Sequence, residues 1–392
     1  MKTTSIDTES SHDTGIEWTH HPGYRGATWN PLAAIDKESG KRGWFCTHVS
    51  EGCRNCYAEK LNVEGAFGKF GTGHEYKHQN LSEIEFEIRN ADQPIRWEKP
   101  RCAFVNSMTD LHHEEVPRDI IDQTYAAIAL APTHRFLILT KRPEEMRSYI
   151  TAAGTPARVG KRMLRLINNE HQINEDWAET RAREIATYDK AWPPQNAWLG
   201  VSAEDQSASN DRIPTLLSTP AAVRFVSVEP IIGPVDLTNV ETIDSATGEE
   251  WHFNALSDSK DDGLYFPGAG IDGEVRALDW IIAGGESGEN ARAPHPEWFR
   301  NLLDQCSRAG VPYFFKQWGA WKPISSLPDP KAEAAQEAHS TTVEAPIRKG
   351  TKTVSKMYFV GKDRGEDKLR GREHREIPEP EPEDRPESMS IE

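Results

Sequence analysis

Long apolar runs are missing from this sequence. No stretch approaches the roughly 20 consecutive apolar residues that a membrane-spanning helix needs, and Met1-Lys2-Thr3-Thr4 onward has no apolar h-region. No membrane association is expected, and a cytoplasmic location is. Positive charge is scarce as well: 46 Lys and Arg against 62 Asp and Glu give a formal charge of −16. Non-specific nucleic-acid binding depends on neutralising phosphates, so the net charge gives no sign of it, although a local basic groove stays open. The glycine-rich Gly284-Gly285-Glu286-Ser287-Gly288 fits neither the Walker pattern nor G-x-G-x-x-G, and there is no tandem repeat. Cysteine is rare: five in 392 residues, too few and too odd a number for a disulfide scaffold, whereas a reducing cytosol keeps thiols free.

Three of those five cysteines, Cys46, Cys53 and Cys56, fall within eleven positions, with six residues in the first gap and two in the second. Thiolate is a soft ligand that selects zinc, Cu(I) or an iron–sulfur cluster, and Cys-x-x-Cys places two sulfurs on one turn. Gly52 sits where the chain must bend back, which glycine tolerates. Three thiolates leave a vacancy in a structural zinc site or an ordinary [4Fe–4S] cluster, each of which takes four ligands. Two readings stay open. On a [4Fe–4S] cluster the bare iron can chelate the amino and carboxylate groups of S-adenosylmethionine and deliver the electron that releases a 5′-deoxyadenosyl radical. Alternatively the three thiolates hold zinc with His48, His112 or His113 as fourth ligand, which would make the chain a non-catalytic, zinc-stabilised binding module associated with nucleic acid. Cys102 and Cys306 read as packing residues.

A strand-then-helix rhythm follows the cysteines. Arg42-Gly43-Trp44-Phe45 reads as the first strand. The near-continuously apolar runs Ala103-Phe104-Val105, Phe136-Leu137-Ile138-Leu139, Trp198-Leu199-Gly200-Val201, Val223-Arg224-Phe225-Val226, Trp280-Ile281-Ile282-Ala283 and Tyr313-Phe314-Phe315 read as buried parallel strands. Helical patterns lie between them, at 117–131, 143–150 and 296–309, the last stopped by Gly310. Alternation of this kind predicts an α/β fold: a TIM-like full or partial (β/α) barrel of parallel strands with insertions and disordered ends, with an open doubly wound sheet as runner-up. The domain reading is a disordered terminus over 1–15 and one barrel domain over 16–324, with a helical insertion at 151–195 and a surface excursion at 240–277. A low-complexity linker over 325–350, a C-terminal segment over 351–378 packing on the barrel, and an acidic disordered tail over 379–392 complete it.

In a parallel barrel, chemistry sits where strands end and βα loops begin. Polar residues follow the apolar runs regularly: Asn106-Ser107-Met108-Thr109-Asp110, Thr140-Lys141-Arg142, Ser202-Ala203-Glu204-Asp205, Ser227-Val228-Glu229, Gly284-Gly285-Glu286 and Lys316-Gln317. Singly, each reads as a helix cap or a solvated loop. Together, carboxylates on four loops plus Lys141 and Arg142 suit a zwitterionic ligand, with carboxylates for its ammonium and a cation for its carboxylate. The cofactor-binding candidates are Ser107, Asp110, Thr140, Lys141, Ser202, Glu204, Glu229 and Glu286.

Trp29-Asn30-Pro31, the three-cysteine stretch with Cys56-Tyr57-Ala58-Glu59, Asn106-Ser107-Met108-Thr109-Asp110, Leu139-Thr140-Lys141-Arg142-Pro143, Gly200-Val201-Ser202, Ser227-Val228-Glu229-Pro230, Gly284-Gly285-Glu286-Ser287-Gly288 and Phe315-Lys316-Gln317-Trp318-Gly319 together resemble the phage gene-product 37/gene-product 68 family of three-cysteine-motif proteins. Its members are similar to radical S-adenosylmethionine enzymes with a TIM-like barrel. The resemblance implies a [4Fe–4S] cluster on the three cysteines. It also implies Ser107 and Asp110 at the methionyl amino group and Ser202 or Glu229 at the ribose or carboxylate of S-adenosylmethionine. An electron donor such as flavodoxin or ferredoxin, and a separately encoded partner protein, follow from it too. It supplies no substrate, and nucleic acid or a nucleotide is carried as the candidate. Two features depart from radical enzymes: the first cysteine gap is six residues rather than three, and Gly284-Gly285-Glu286 follows the sixth strand rather than the second.

Overall fold

Seven short strands line up in chain order as one parallel sheet: β1 (Arg25–Trp29), β2 (Arg101–Val105), β3 (Arg135–Thr140), β4 (Ala197–Ser202), β5 (Arg224–Val228), β6 (Trp280–Gly284) and β7 (Tyr313–Gln317). The computed structural model describes residues 14–65, 70–167, 174–187, 191–243, 247–257, 277–323, 340–348, 351–361 and 368–378. The disorder expected over 1–15 and 379–392 falls outside these residues, apart from Thr14 and Gly15. A doubly wound sheet would reverse its strand order at a switch point. Here every neighbour is parallel and the order never reverses, so the crossovers keep one hand and the sheet curls into a half-barrel.

Period-2 alternation sorts the side chains. One face of the sheet, with Val105, Ile138, Leu199, Val201, Val226, Ile281 and Phe315, packs under the helices in the main core. The other carries Cys102, Leu137, Trp198, Phe225, Trp280, Ile282 and Phe314, and Trp18 from the N-terminal segment fills the amino end of the half-barrel against them. Gly200 belongs to this inner face: a Cβ there would lie 2.5 Å from the Phe225 ring, so the missing side chain lets that ring lie across the sheet.

The helices are α1 (Tyr57–Glu64), α2 (Arg118–Ala129), α3 (Pro143–Thr151), α4 (Thr155–Ile167), α5 (Glu175–Thr187), α6 (Gln206–Leu217) and α7 (Pro296–Ala309). Proline opens α3 and α7, where its missing N–H is not needed, and left-handed Gly310 (φ 72°) ends α7. Within 151–195 the described residues include α4 and α5. This region is no appendage: Val159, Met163, Leu166 and Ile167 of α4 and Ala178, Ala182 and Ile185 of α5 join the main core. The excursion at 240–277 begins with an antiparallel hairpin, Val240–Ile243 with Glu250–Phe253.

Two expectations are corrected. The first barrel strand is Arg25–Trp29. Arg42–Gly43 instead pairs with Leu32–Asp36, which also pairs with Ile84–Ile88, in a small antiparallel sheet beside the barrel. Arg-Gly-Ala-Thr-Trp has too little apolar bulk to announce a buried strand, yet Ala27 and Trp29 are both buried. The supposed linker over 325–350 contains a strand, Ser340–Arg348, antiparallel to Thr351–Phe359, which in turn pairs with Trp321–Pro323. Thr342 and Glu344 are exposed while Val343 and Ala345 face the core, so half of this strand is polar and its composition resembles a linker.

Candidate functional site

The three cysteines lie in the long connection between β1 and β2. Phe45, fully buried against Tyr76, Ala58, Ile84 and Met108, pins the chain just before Cys46. Cys53 ends a single 3-10 turn, Glu51–Cys53, and Cys56 is the residue before α1. Burial raises the Cys56 thiol, and the backbone N–H groups of Glu59 and Ala58 at the start of α1 work against that rise by favouring thiolate. Cys46 keeps part of its surface open to the site, but the surrounding protein desolvates its thiol and pushes it up to about 12 against the pull of Arg142. Arg142 Nη1 lies 3.7 Å from Cys46 Sγ, and Ser50 Oγ 4.0 Å from Cys53 Sγ.

Donor chemistry and spacing can be compared with each candidate metal. Thiolates on a tetrahedral zinc with Zn–S of about 2.3 Å stand about 3.8 Å apart. The three sulfurs here are not all within 4.8 Å of one another, so no mononuclear pocket is preformed. Of the histidines considered as a fourth zinc ligand, His48 Nε2 meets Glu59 Oε2 at 2.9 Å, both nitrogens of His113 are taken, Nε2 by Thr47 Oγ1 at 2.9 Å and Nδ1 by the Glu115 N–H at 3.1 Å, and His112 Nε2 meets Tyr125 OH at 3.3 Å while its buried Nδ1 has no partner among the described residues. A four-iron cluster would carry each of the three thiolates on a different iron.

Around the loop, the carboxylates expected to bind a ligand are mostly held by the protein itself. Glu204 is 1% exposed. Its Oε1 accepts from Ser50 Oγ at 2.9 Å and from Lys141 Nζ, and its Oε2 accepts from Arg212 Nη1 at 3.0 Å. Gly52 rests directly on this carboxylate, since a Cβ there would fall 2.2 Å from Glu204 Oε1. Close approach therefore explains the glycine, and Gly52 has no left-handed backbone.

Asp110 is also saturated. Oδ1 accepts from His112 N at 3.0 Å and Thr140 Oγ1 at 2.7 Å, and Oδ2 from Lys141 N at 3.1 Å and Arg142 Nη1 at 3.2 Å. Burial opposes its ionisation, but Arg142, Thr140 and the Lys141 N–H together hold the carboxyl below its usual range. Glu286 accepts from Arg292 N at 2.7 Å, Nε at 2.9 Å and Nη2 at 2.6 Å, and from Asn55 Nδ2 at 3.2 Å. Asp110, Glu204 and Glu286, expected as ligand carboxylates, are engaged by the protein itself and fasten the cysteine loop to the ends of β2, β4 and β6. Thr140, which donates to Asp110, and buried Ser202, whose carbonyl accepts from Arg212 Nη1 at 2.8 Å, belong to the same framework.

Open surface remains deeper in the mouth. Phe104, Leu139, Lys141, Glu229 and Lys316 are half-buried on the inner side of the strand ends. Lys316 Nζ donates to Glu229 Oε1 at 2.6 Å. The Lys141 ammonium is held by Glu204, and desolvation lowers it to about 8 despite nearby Cys53. Tyr57, 52% exposed, donates its phenol O–H to the Ser107 carbonyl, while Ser107 Oγ donates to Asn30 Oδ1 at 3.3 Å. Phe104, Leu139 and the part-exposed Glu229–Lys316 pair thus line a shallow cup beside the cysteine loop.

The structure thus brings all eight candidates to the one rim but leaves Glu229, Lys141 and Ser107 as those near open surface. Arg212 on α6, Arg292 and Asn55 carry no motif, and only the contacts reveal their part in seating the loop. Tyr57 had a signal, its place directly after Cys56. No curated protein matches the chain, and no solved structure does. The model of a family described as "Protein of unknown function (DUF5131)" matches residues 13–378, and the chain belongs to that family.

Proposed function

We propose that this protein is a radical S-adenosylmethionine-like enzyme in which Cys46, Cys53 and Cys56 hold a [4Fe–4S] cluster. The observation that carries the reading is the placement of three thiols, and no fourth, on one loop at the carboxyl end of a half-barrel, beside a part-open cup. Such a cluster supplies one electron and an iron with a free coordination position, which reductive cleavage of S-adenosylmethionine requires.

The chain's own residues support this electrostatically. Cys46 receives a hydrogen-bond donor from Arg142, and Lys141 and Arg212 both lie close enough to Cys53 to feel its charge, so three cations offset the negative charge of a thiolate-ligated cluster. Glu204, Asp110 and Glu286 fix the loop and the cations. The part-exposed Glu229–Lys316 pair can open to take the ammonium and carboxylate of a zwitterionic ligand, each charge exchanging one partner for another. A flavodoxin- or ferredoxin-like donor would reach the cluster from the exposed side of the loop, where Val49 lies open.

Anaerobic reconstitution with iron and sulfide tests the reading. About four irons per chain, with visible charge-transfer absorption lost in Cys53→Ala, are expected for a cluster on these thiols. One tightly held zinc and no iron uptake would overturn it.

A further inference from the structure

The chain is acidic overall, yet residues 345–362 contain five cations, Arg348, Lys349, Lys352, Lys356 and Lys362, and no Asp or Glu. This stretch lies largely in the antiparallel ribbon of Ser340–Arg348 and Thr351–Phe359. The ribbon is seated rather than free. Ala345 is 1% exposed within the main core and Val343 packs against it, while Thr342, Glu344, Lys352, Val354 and Lys356 face outward. Lys352 is paired with Glu344 at 3.0 Å, an exposed surface contact that water screens and that another anion can readily replace.

The ribbon is also tied to the rim that bears the cysteines. Its partner strand, Trp321–Pro323, follows directly on β7. Trp321 Nε1 donates to the Ala291 carbonyl at 2.6 Å and Ala320 N to the Glu286 carbonyl at 2.8 Å, and Asn55 of the cysteine loop bonds the same β6–α7 connection, at Glu286 Oε2 and at the Asn290 carbonyl. A second basic segment, α4, has no such link. Its Arg158 and Arg162 are bonded to Asp122 and Asp119, and it packs against acid-bearing α5 in the outer helical layer.

We propose that the ribbon and the cup together bind a nucleic-acid strand, the outward lysines tracking its phosphates and the cup receiving a base. This rests on the functional reading above and names its substrate class. Phosphate attraction needs only a local cationic surface, and an acidic remainder orients the polymer by repelling it elsewhere. At the mouth, exposed Tyr57 and half-buried Phe104 offer aromatic faces of the kind on which bases stack.

The test is fluorescence anisotropy of the full chain with a labelled single strand of about 20 nucleotides, and with the matching duplex, across a salt series. The Lys352→Glu/Lys356→Glu variant should bind roughly tenfold more weakly at about 50 mM salt. Its plot of log affinity against log salt should be shallower by about 1.4 on the single strand, the share of two phosphate contacts. Lys352→Gln/Lys356→Gln should show the same change of slope without added repulsion. Tyr57→Ala should weaken single-strand binding and leave the slope unchanged. Lys161→Glu/Arg165→Glu on α4 makes the same charge change and should bind like the wild type. The proposal is overturned if the wild type fails to bind at about 50 mM salt, if the ribbon variants match it, or if the α4 variant loses as much. Iron content of the same samples separates the two readings: wild-type-like binding by an iron-loaded ribbon variant removes the ribbon alone, and ribbon-dependent binding by a protein that never takes up iron removes the cluster alone.

Discussion

Replacing Gly52 with alanine probes how the cysteine loop is seated. The new Cβ would lie 2.2 Å from Glu204 Oε1, 2.4 Å from its Cγ and 2.5 Å from its Cδ. A glutamate end can usually swing away, but this one is buried between Lys141, Arg212 and Ser50. Expelling it would strand two buried cations at about 3–5 kcal/mol, the usual result of breaking a buried pair. Lifting the loop instead costs about 1–3 kcal/mol, the range for overpacking. The cheaper route wins, so Gly52→Ala should lose about 1–3 kcal/mol in urea unfolding, and Cys53, the next residue, should be displaced enough to impair iron loading. Shortening the clashing side chain in Gly52→Ala/Glu204→Asp should restore part of both. Wild-type stability and iron content in Gly52→Ala, or no recovery in the double variant, would refute this account of the loop.

Asp110→Asn should be destabilising by about 1–3 kcal/mol, because an amide matches the Lys141 N–H and Arg142 donors poorly while Glu114 still pairs with the guanidinium; a near-silent substitution in thermal unfolding would return Asp110 to the role of a simple cap. Cys46→Ala, Cys53→Ala and Cys56→Ala should each abolish cluster loading, whereas Cys102→Ala and Cys306→Ala, on buried thiols of the two packing layers, should lower stability and spare it; equal iron loss from Cys306→Ala would contradict the assignment. Burial, chiefly, lowers His21 to about 3 and His112 and His134 to about 4. An unfolded histidine takes up its proton near pH 6.5 and these folded ones do not until about 3–4, so the unfolded state binds more protons across that window. Stability should therefore fall as pH drops from about 6.5 to 4, by about 1.4 kcal/mol per unit for each histidine that contributes fully. Urea midpoints that do not change between pH 7 and pH 5 would exclude this.

The sequence made the sheet legible wherever burial was two-sided, as in Phe136-Leu137-Ile138-Leu139 or Trp280-Ile281-Ile282-Ala283, because a strand covered on both faces has no room for polar residues. It hid β1, whose burial rests on Ala27 and Trp29 alone, and the strand Ser340–Arg348, which turns one polar face to solvent. The site was half legible for a related reason. Charged residues at strand ends announce a rim, but not whether their charges face a ligand or one another. Asp110 and Glu204 face an arginine and a lysine from the loop after β3 and an arginine from α6, and Glu286 faces Arg292 of its own loop, so their occupancy shows only in the folded contacts. Glu229 after β5 and Lys316 on β7, part-exposed across the end of β6, are the pair that still matches the zwitterion argument.

The most direct test of the central claim is electron paramagnetic resonance of the anaerobically reconstituted, reduced protein with and without S-adenosylmethionine. Three thiolates leave one iron able to accept the amino and carboxylate groups, so the cofactor should shift the spectrum of the wild type, and should shift it less when Glu229→Gln or Lys316→Met removes one half of the accessible pair. A cluster spectrum that S-adenosylmethionine leaves unchanged, with no binding by calorimetry, would contradict the account.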